Sequence, residues 1–393
     1  MTYDFDLIIP RRHTNSVKWD EASHEDVIPL WVADMDFPVY PAITEALRRR
    51  VDHAVFGYTH IPQTYYDSVA RWFADRHHVK PFTANDFIVT TGVVPAISAI
   101  IRALTMPADK VLILTPVYNC FFSSIRNQGC QVEASPLKDV GGRYVVDWDD
   151  FERRCADPRI RVFLLCNPHN PVGRVWTKEE LTTMAAICQR HGVFIIADEI
   201  HGEIVMPGHE YVSVGSLDTV GDSAYALCLA PTKAFNIAGL QIANIIVRDP
   251  SVRERIDRAI NIHEVCDVNP FSVVATEAAY TDGGWEWLQQ LNAYIAGNYQ
   301  LLCQYVQQHI PMLRVTSMEG TYLAWIDCEA LATPSSQLAA DLLQHHGVWL
   351  NDGEMYGETQ RPFLRINLAC PRAILEEGLQ RMADFFCLGA FGK

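Results

Sequence analysis

Short apolar runs alternate with an amphipathic helix between residues 161 and 240, and this alternation constrains the fold more than any other feature. The run RVFLLC ends at Cys166, VFIIA runs into Asp198, and YALCLA leads into Pro231. Apolar runs of this length are typical of strands that are buried on both faces, as in parallel sheets. The sequence therefore predicts a β-α-β unit followed by a further strand, in a parallel or mixed sheet.

The helix between the first two runs has a marked beginning and end. Thr177 stands three residues before Glu180, which is the pattern of a capping box. Gly192 is placed to end the helix. Apolar residues recur in between at positions i, i+3, i+4 and i+7, so that they share one face: Leu181, Met184, Ala185 and Cys188.

The alternation of strand-like runs and helical patterns begins before residue 161, and a different pattern follows after about residue 285. FIVTTGVVPAISAIIRAL predicts a strand, a glycine turn and a helix that starts near Val93, and KVLILT predicts a strand that ends at Thr115. After about residue 285 a long helical pattern is followed by YLAWID, DLLQHHGVWL and FLRINLA. We therefore expect a large domain over 45–285 and a smaller α+β domain from 1–44 and 286–393.

Composition excludes several classes of protein. With 47 acidic against 32 basic residues the formal charge is −15, and no basic cluster stands out, so nucleic acid is not an expected partner. No leader pattern opens the sequence, and no apolar run approaches the about 18 residues of a membrane helix. We expect a cytoplasmic protein with reduced cysteines. Cys166 and His169 share a loop without a second ligand pair, so no metal is expected.

Four polar or reactive side chains follow predicted strands: Tyr118, Asn170, Asp198 and Lys233. Ligands of open α/β sheets bind beyond the carboxyl ends of the strands, so these groups are expected to converge. Pyridoxal phosphate (PLP) uses such a set, because its aldehyde needs an amine and its ring nitrogen needs an anion. Lys233 would then hold the cofactor as a Schiff base, and Asp198 would keep the ring nitrogen protonated.

The remaining parts of the cofactor also find partners in the sequence. Asn170 would donate a hydrogen bond to the phenolate oxygen, and Tyr118 would stack on the ring. The phosphate would meet the helix N-terminus in TTGVV, formed by Gly92, Val93 and Val94, and the hydroxyl of Thr232. Each of these residues alone has an ordinary structural explanation, such as a capped turn or a solvated lysine. The prediction depends on their joint order after buried strands.

Three of these segments, NPHNPVGRVW, ADEIH and PTKAFNIAGL, resemble the motifs of fold-type I PLP enzymes of the class I and II aminotransferase superfamily. WVADMDFPVYPAI, VFGYTHIP, DEIH, YLAWID and FLRINLACPR further resemble the MalY/PatB group of carbon-sulfur β-lyases, over nearly the whole chain. The resemblance implies an α/β fold with a mostly parallel seven-stranded sheet between helices in the large domain, plus the smaller α+β domain.

The resemblance also implies an activity and further site residues. The group eliminates a thiol from L-cystathionine or another cysteine S-conjugate, yielding pyruvate and ammonia. Lys233 would carry the Cα proton, and Arg365 would grip the substrate carboxylate. Tyr58 would reach the phosphate of the neighbouring subunit in a homodimer, as a catalytic and cofactor-binding residue of a shared site. The N-terminal motif would line the substrate entrance with Trp31, Asp34 and Phe37.

Several alternatives stay open at this point. An aminotransferase shares every residue through Cα deprotonation, and a regulatory protein that binds a transcription factor is a further possibility. The stretch LWVADMDF fits a core segment as well as a substrate entrance. Two departures from the resembled motifs bear on the cofactor. His201 replaces a tyrosine near the phenolate, and Gln241 stands where many aminotransferases have a phosphate-binding arginine.

Overall fold

A seven-stranded sheet forms the centre of the molecule. The computed structural model describes residues 2–22, 24–265, 267–357 and 361–388. The spatial order of the strands is β1-β7-β6-β5-β4-β2-β3, and only β7 runs antiparallel to its neighbours in this sheet. The predicted mostly parallel sheet is confirmed. Its strands are β1 (Phe87–Thr90), β2 (Lys110–Thr115), β3 (Gln131–Pro136), β4 (Ile160–Cys166), β5 (Phe194–Asp198), β6 (Tyr225–Leu229) and β7 (Ala243–Ile246).

Helices cover both faces of this sheet. Strand β4 shows the two faces directly, because Val162 and Leu164 belong to one apolar cluster while Phe163 and Leu165 belong to the other. The described helices are α1 (Val17–Asp20), α2 (Pro41–Asp52), α3 (Gln63–His77), α4 (Val93–Leu104), α5 (Cys120–Arg126), α6 (Trp148–Cys155), α7 (Lys178–Arg190), α8 (Pro250–Asn261), α9 (Pro270–Ala279), α10 (Asp282–His309), α11 (Ser335–His346) and α12 (Arg372–Ala383).

Helix α7 forms as its sequence predicts. The Thr177 hydroxyl accepts a hydrogen bond from the Glu180 amide at 3.2 Å, and the Glu180 carboxylate accepts one from the Thr177 amide at 2.9 Å. Gly192 adopts a φ of +67° just after the helix, in the left-handed region that glycine tolerates. The capping box and the glycine stop are confirmed.

A second, four-stranded antiparallel sheet follows the long helix α10. Its strands are β8 (Arg314–Val315), β9 (Leu323–Asp327), β10 (Asn351–Asp352) and β11 (Phe363–Asn367), in the order β8-β9-β11-β10. Near it, Ile28–Pro29 pairs in parallel with Val348–Trp349. This pairing fits the expectation that the N-terminal residues join the smaller domain, whose boundaries stay a prediction. A short hairpin, Lys138–Val140 with Arg143–Val145, completes the strands.

Three further properties belong to the part of the chain described above. No helix there is long and apolar enough to cross a membrane. No group of three or more His, Cys, Asp or Glu side chains is arranged to hold a metal ion within those ranges. All ten cysteines that the structure describes are free, and most of them are buried.

Candidate active site

Lys233 lies just beyond the carboxyl end of β6 as a partly exposed residue, and its amine contacts the N-terminal segment. Nζ donates a hydrogen bond to the carbonyl oxygen of Ala33 at 2.5 Å. Burial lowers the pKa of Lys233 to about 8, although the negative charge of Asp34 opposes the shift. More of the amine is therefore uncharged near neutral pH than in an ordinary lysine, and the uncharged form is the one that attacks a carbonyl.

Asp198 ends β5 and is only 4% exposed. The backbone amide of Ile200 donates to its Oδ1 at 3.3 Å, and no cationic side chain in the described part of the chain lies within ion-pair distance. Burial raises the pKa of Asp198 to about 7. A buried carboxyl group that lacks a cationic partner is suited to receive one from a ligand.

Arg365, on strand β11, is 3% exposed, so it is not the surface arginine of a strand edge. Its Nη1 donates to the side-chain oxygen of Asn170 at 3.1 Å and its Nη2 to the carbonyl of Trp31 at 2.9 Å. The guanidinium lies over the ring of Tyr356 at 4.9 Å. Its Nε has no hydrogen-bond partner within the described residues. The fold thus brings Asn170 and Arg365 together, as the sequence predicted, and leaves the Nε–H and the second N–H of each Nη for a ligand.

The segment 31–37 is held against the site through its backbone carbonyls. Asn351 donates to the first carbonyl at 2.9 Å, and Asn367 donates to two others at 2.7 Å each. Asn236 donates to two more at 3.0 Å each. No local sequence pattern points to these three asparagines, because their partners are backbone atoms of a distant segment.

A buried ion cluster fixes the side chain of Asp34 near Lys233. Arg11 pairs with Asp34 at 2.6 Å and with Asp36 at 2.6 Å, while Lys18, which is fully buried, pairs with Asp36 at 2.7 Å. Burial opposes ionisation of Asp36, but the charge of Lys18 and its hydrogen bond lower the pKa of Asp36 overall. Asp34 therefore approaches the reaction centre as a fixed negative charge.

The two aromatic residues of the predicted substrate entrance have different surroundings. The Trp31 ring stacks on Trp349 with centroids 4.3 Å apart. Phe37 is 3% exposed and packs against Phe5 at 5.2 Å and Tyr294 at 5.4 Å. The prediction that the Phe37 ring lines the entrance is corrected here: its ring belongs to the core. Only the backbone carbonyl of Phe37 contributes to the site, where it accepts a hydrogen bond from Asn236.

Tyr118 and His201 lie in the same electrostatic neighbourhood as Lys233 and Arg365. Burial raises the pKa of Tyr118, and the nearby Cys120 adds to the shift. Burial lowers the pKa of His201 to about 3, with further contributions from the charges of Lys233 and Arg365. The His201 Nδ1 atom is buried and has no partner among the described residues. A neutral imidazole is thus available to a ligand.

The residues predicted to bind the phosphate include hydrogen-bond donors of the backbone and of a side chain. Gly92 precedes α4, which carries no side-chain cap, so that the amides of Val93 and Val94 open the helix. Thr232 is 6% exposed and adjoins Lys233. Tyr58, in contrast, is 96% exposed in the single chain.

Comparison with known proteins places the chain in a family. A model of the family described as aminotransferase class I and II matches residues 25–382. The chain belongs to this family.

Relatives within the family agree with the resemblance of the motifs. The chain is 37% identical to cystathionine beta-lyase PatB of Bacillus subtilis (strain 168), over 96% of this chain and 98% of that protein. It is 31% identical to protein MalY of Escherichia coli (strain K12), over 96% and 97%. The structure of a PLP-bound putative aminotransferase from Clostridium difficile 630 superposes with a TM-score of 0.94 at 39% identity, covering 97% and 99%. The predicted resemblance to the MalY/PatB group is confirmed.

The buried groups of this aminotransferase-family site match those of PLP one by one. A partly buried amine, a buried carboxyl with no cation at ion-pair distance among the described residues, and a helix N-terminus without a side-chain cap suit an aldehyde, a ring nitrogen and a phosphate respectively. The unpartnered Nε of Arg365 remains for a substrate carboxylate. The site therefore fits the cofactor and an amino-acid substrate together.

Proposed function

We propose that this protein is a PLP-dependent carbon-sulfur β-lyase that converts L-cystathionine or another cysteine S-conjugate to a thiol, pyruvate and ammonia. The observation that carries the proposal is the electrostatic grouping of Lys233 with Asp198 and Arg365, whose charges both act on the lysine and whose side chains are buried. The full-length similarity to a cystathionine β-lyase supports the choice of reaction.

The roles of the cofactor-binding residues follow from their surroundings. Lys233 would bind the aldehyde carbon, and Asp198 would pair with the protonated ring nitrogen. Asn170 and His201 would serve the phenolate oxygen, and Tyr118 would stack on the ring. The N-terminus of α4, formed by Gly92, Val93 and Val94, would hold the phosphate, with Thr232 as a further donor.

Two further roles concern the substrate, namely binding of its carboxylate and removal of its Cα proton. Arg365 binds the substrate carboxylate through charge-assisted hydrogen bonds, which orients the Cα–H bond toward Lys233. Once its amine is released from the cofactor and uncharged, Lys233 would remove that proton. PLP, when bound, would accept the electrons left at Cα. The Ala33 carbonyl accepts a hydrogen bond from the Lys233 amine and thereby orients it.

A direct experiment separates the possible activities. The purified, PLP-loaded protein is incubated with L-cystathionine and, separately, with S-alkyl cysteines, without a keto acid, while free thiol and pyruvate are measured together. We expect both products in equal amounts over many turnovers. Turnover that begins only after a keto acid is added would instead establish an aminotransferase, the second candidate, which the family itself favours. No turnover under either condition would contradict both and favour a regulatory role.

We further propose a cytoplasmic homodimer whose active site is shared between subunits. Tyr58 is 96% exposed in the single chain, and it belongs to a stretch with other exposed apolar side chains. These are Val51, Val55 and Phe56, with Ile262 also exposed. An exposed apolar patch of this kind is typical of a protein interface. In the dimer Tyr58 of the partner subunit donates to the phosphate.

Subunit complementation tests the shared site. K233A and Y58A variants are each expected to be strongly impaired, and they are mixed under conditions that exchange subunits. If Tyr58 acts across the interface, each mixed dimer contains one site with both residues intact, and about a quarter of wild-type activity returns, because half the dimers are mixed and half their sites are intact. Activity that stays at the level of the separate variants would place Tyr58 in its own subunit's site.

A further inference from the structure

We propose that Tyr322 is a positioning residue for Lys233, and that it acts through the backbone carbonyl of Ala33. Its hydroxyl holds this oxygen in place as the acceptor to which the amine of Lys233 donates whenever the amine is not joined to the cofactor. The inference rests on the proposed function, in which Lys233 carries the Cα proton. It adds a residue of the smaller domain to which that function assigns no role.

Two hydrogen bonds meet at the Ala33 oxygen. The Lys233 amine donates to it at 2.5 Å, and the Tyr322 hydroxyl donates to it at 3.0 Å. A carbonyl oxygen has two lone pairs, so both donors bind at the same time. Tyr322 is fully buried, and this burial, with a contribution from the charge of Asp34, raises the pKa of its hydroxyl. The hydroxyl therefore stays protonated near neutral pH and remains a donor.

The end of strand β11 fixes the backbone on both sides of this contact. The side chain of Asn367 donates to the carbonyls of the residues before and after Ala33, at 2.7 Å each. The amide of the following residue, Leu368, donates to the carbonyl of Tyr322 at 2.8 Å. One short segment thus holds both the tyrosine and the backbone that flanks its acceptor. The position of the Ala33 oxygen is therefore set by the smaller sheet.

The ring of Tyr322 reaches the cofactor-binding residues as well. It packs edge-on against the imidazole of His201, with ring centroids 5.8 Å apart. A buried tyrosine hydroxyl usually has an acceptor, so a hydrogen bond of Tyr322 is expected in any case. In this protein the acceptor is the same atom that the predicted catalytic amine contacts. This shared atom connects the hydroxyl to the chemistry of Lys233 rather than to packing alone.

The shared acceptor matters most when Lys233 leaves it. A lysine nitrogen that is joined to the aldehyde carbon of PLP by a double bond keeps at most one hydrogen. Tyr322 is then the donor that keeps the partly buried Ala33 oxygen paired. When the substrate displaces Lys233 from the cofactor, the released amine finds this oxygen in an unchanged position. Without the hydroxyl the oxygen would lack a partner in the PLP-bound protein, which costs more than losing one of two partners.

The Y322F variant removes the hydroxyl and keeps the ring, and Y299F is its matched control. Tyr299, on α10, also donates its hydroxyl to a backbone carbonyl, that of Thr316, at 2.8 Å, and it packs against the apolar core. Each variant loses one hydrogen bond to a carbonyl, so the two should lower the Tm of the cofactor-free protein by similar amounts. Any larger effect of Y322F on the chemistry then comes from the position of its hydroxyl.

Exchange of the Cα proton of L-alanine with D₂O isolates the step that Lys233 performs, because L-alanine has no leaving group. NMR measures this exchange for the PLP-loaded wild type and both variants. We expect the maximal rate of Y322F to fall by about 10- to 100-fold, as for a displaced catalytic group. The L-alanine concentration that gives half the maximal rate should stay within about threefold, because Arg365 is unchanged. Y299F should match the wild type in both quantities.

Binding of PLP gives a second measurement that involves no turnover. The cofactor-free proteins are titrated with PLP, and the absorption of the bound cofactor gives its Kd. We expect the Kd of Y322F to exceed that of Y299F by roughly fivefold, because only Y322F leaves the Ala33 oxygen without a partner in the PLP-bound protein.

The contrary results are distinct. Exchange in Y322F as fast as in Y299F, a half-saturating L-alanine concentration that rises as much as the rate falls, or equal PLP affinities of the two variants would overturn the role of Tyr322. A wild type that exchanges the proton of L-alanine but releases no thiol from S-ethyl-L-cysteine would refute the lyase function alone, because the comparison of the variants requires only Cα deprotonation. A wild type that does neither would refute both.

Discussion

The amine of Lys233 donates to the carbonyl oxygen of Ala33 at 2.5 Å, and this contact joins the predicted catalytic lysine to the N-terminal segment. The hydroxyl of Tyr322, beside strand β9, donates to the same oxygen at 3.0 Å. Because a carbonyl oxygen has two lone pairs, it can serve both donors at once. One backbone atom thus links the loop after β6 to the smaller sheet.

Replacing Lys233 by alanine tests the central assignment. The variant should lose turnover and the Schiff-base absorption of bound PLP, because the amine that would react with the aldehyde is removed. Absorption spectra and product assays measure both effects. K178A is the control, since Lys178 is an exposed residue at the start of α7. Retained full turnover in K233A would overturn the mechanism.

Asp34 is expected to tune the acidity of Lys233. Its negative charge opposes the effect of burial, so D34N should move the pKa of Lys233 below its present value of about 8. In the cofactor-free protein, the rate of Schiff-base formation with added PLP should then reach half its maximum at a lower pH than in the wild type. D4N, at an exposed position near the N-terminus, serves as the control. A midpoint that stays in place or moves upward would exclude this role for Asp34.

The buried carboxyl of Asp198 predicts how stability depends on pH. Burial raises its pKa in the folded, cofactor-free protein to about 7, above the ordinary 3.8. Its stabilising contribution is fully present below the unfolded pKa and is lost as pH rises through about 7. D198N should therefore raise the Tm of the cofactor-free protein at pH 8 more than at pH 5. The same variant should bind PLP more weakly, because the ring nitrogen loses its anion.

Thermal unfolding at the two pH values, followed by circular dichroism, measures this difference. D218N, which changes an exposed aspartate, controls for the general effect of removing a charge. An equal shift in Tm at pH 5 and pH 8 would show that Asp198 does not carry the raised pKa.

Local patterns account for the parts of the structure that the sequence predicted. The α7 capping box and the buried strand β4 depend on neighbouring residues, and both appear as expected. Asn367 could not be found in this way, because the carbonyl of Val32 that it binds lies 335 residues away. Phe37 was misassigned because an apolar residue in such a segment has the same pattern whether it faces the core or a cleft.

The site residues differ in the same way, because some can be predicted from local patterns and others depend on distant parts of the structure. Lys233, Asp198 and Asn170 follow strands, so that strand direction alone predicts where they converge. The role of Tyr58 depends on a second chain, which the pattern of one chain does not describe.

The last prediction concerns Arg365, whose guanidinium offers a carboxylate both a positive charge and two parallel hydrogen-bond donors. Replacement by alanine and by lysine separates these two contributions. Charge-assisted hydrogen bonds contribute about 1.5–3 kcal/mol each, so the loss of two in R365A should lower kcat/KM for amino-acid substrates by roughly 100- to 10,000-fold, mainly through a higher KM. R365K keeps the charge but cannot form two parallel bonds to a carboxylate, so it should recover only part of the loss.

The structure provides a matched control for Arg365 and a contrary outcome. Arg361 precedes the same strand and pairs with Asp327 at 2.9 Å, so R361K should retain substrate affinity. Steady-state kinetics with S-ethyl-L-cysteine, together with the Tm of each variant, separate binding from folding. If R365A kept its Tm and its KM, the carboxylate would have to bind elsewhere, and the unpartnered Nε would need another explanation. If R365K matched the wild type, a point charge would suffice and the paired geometry would not be required.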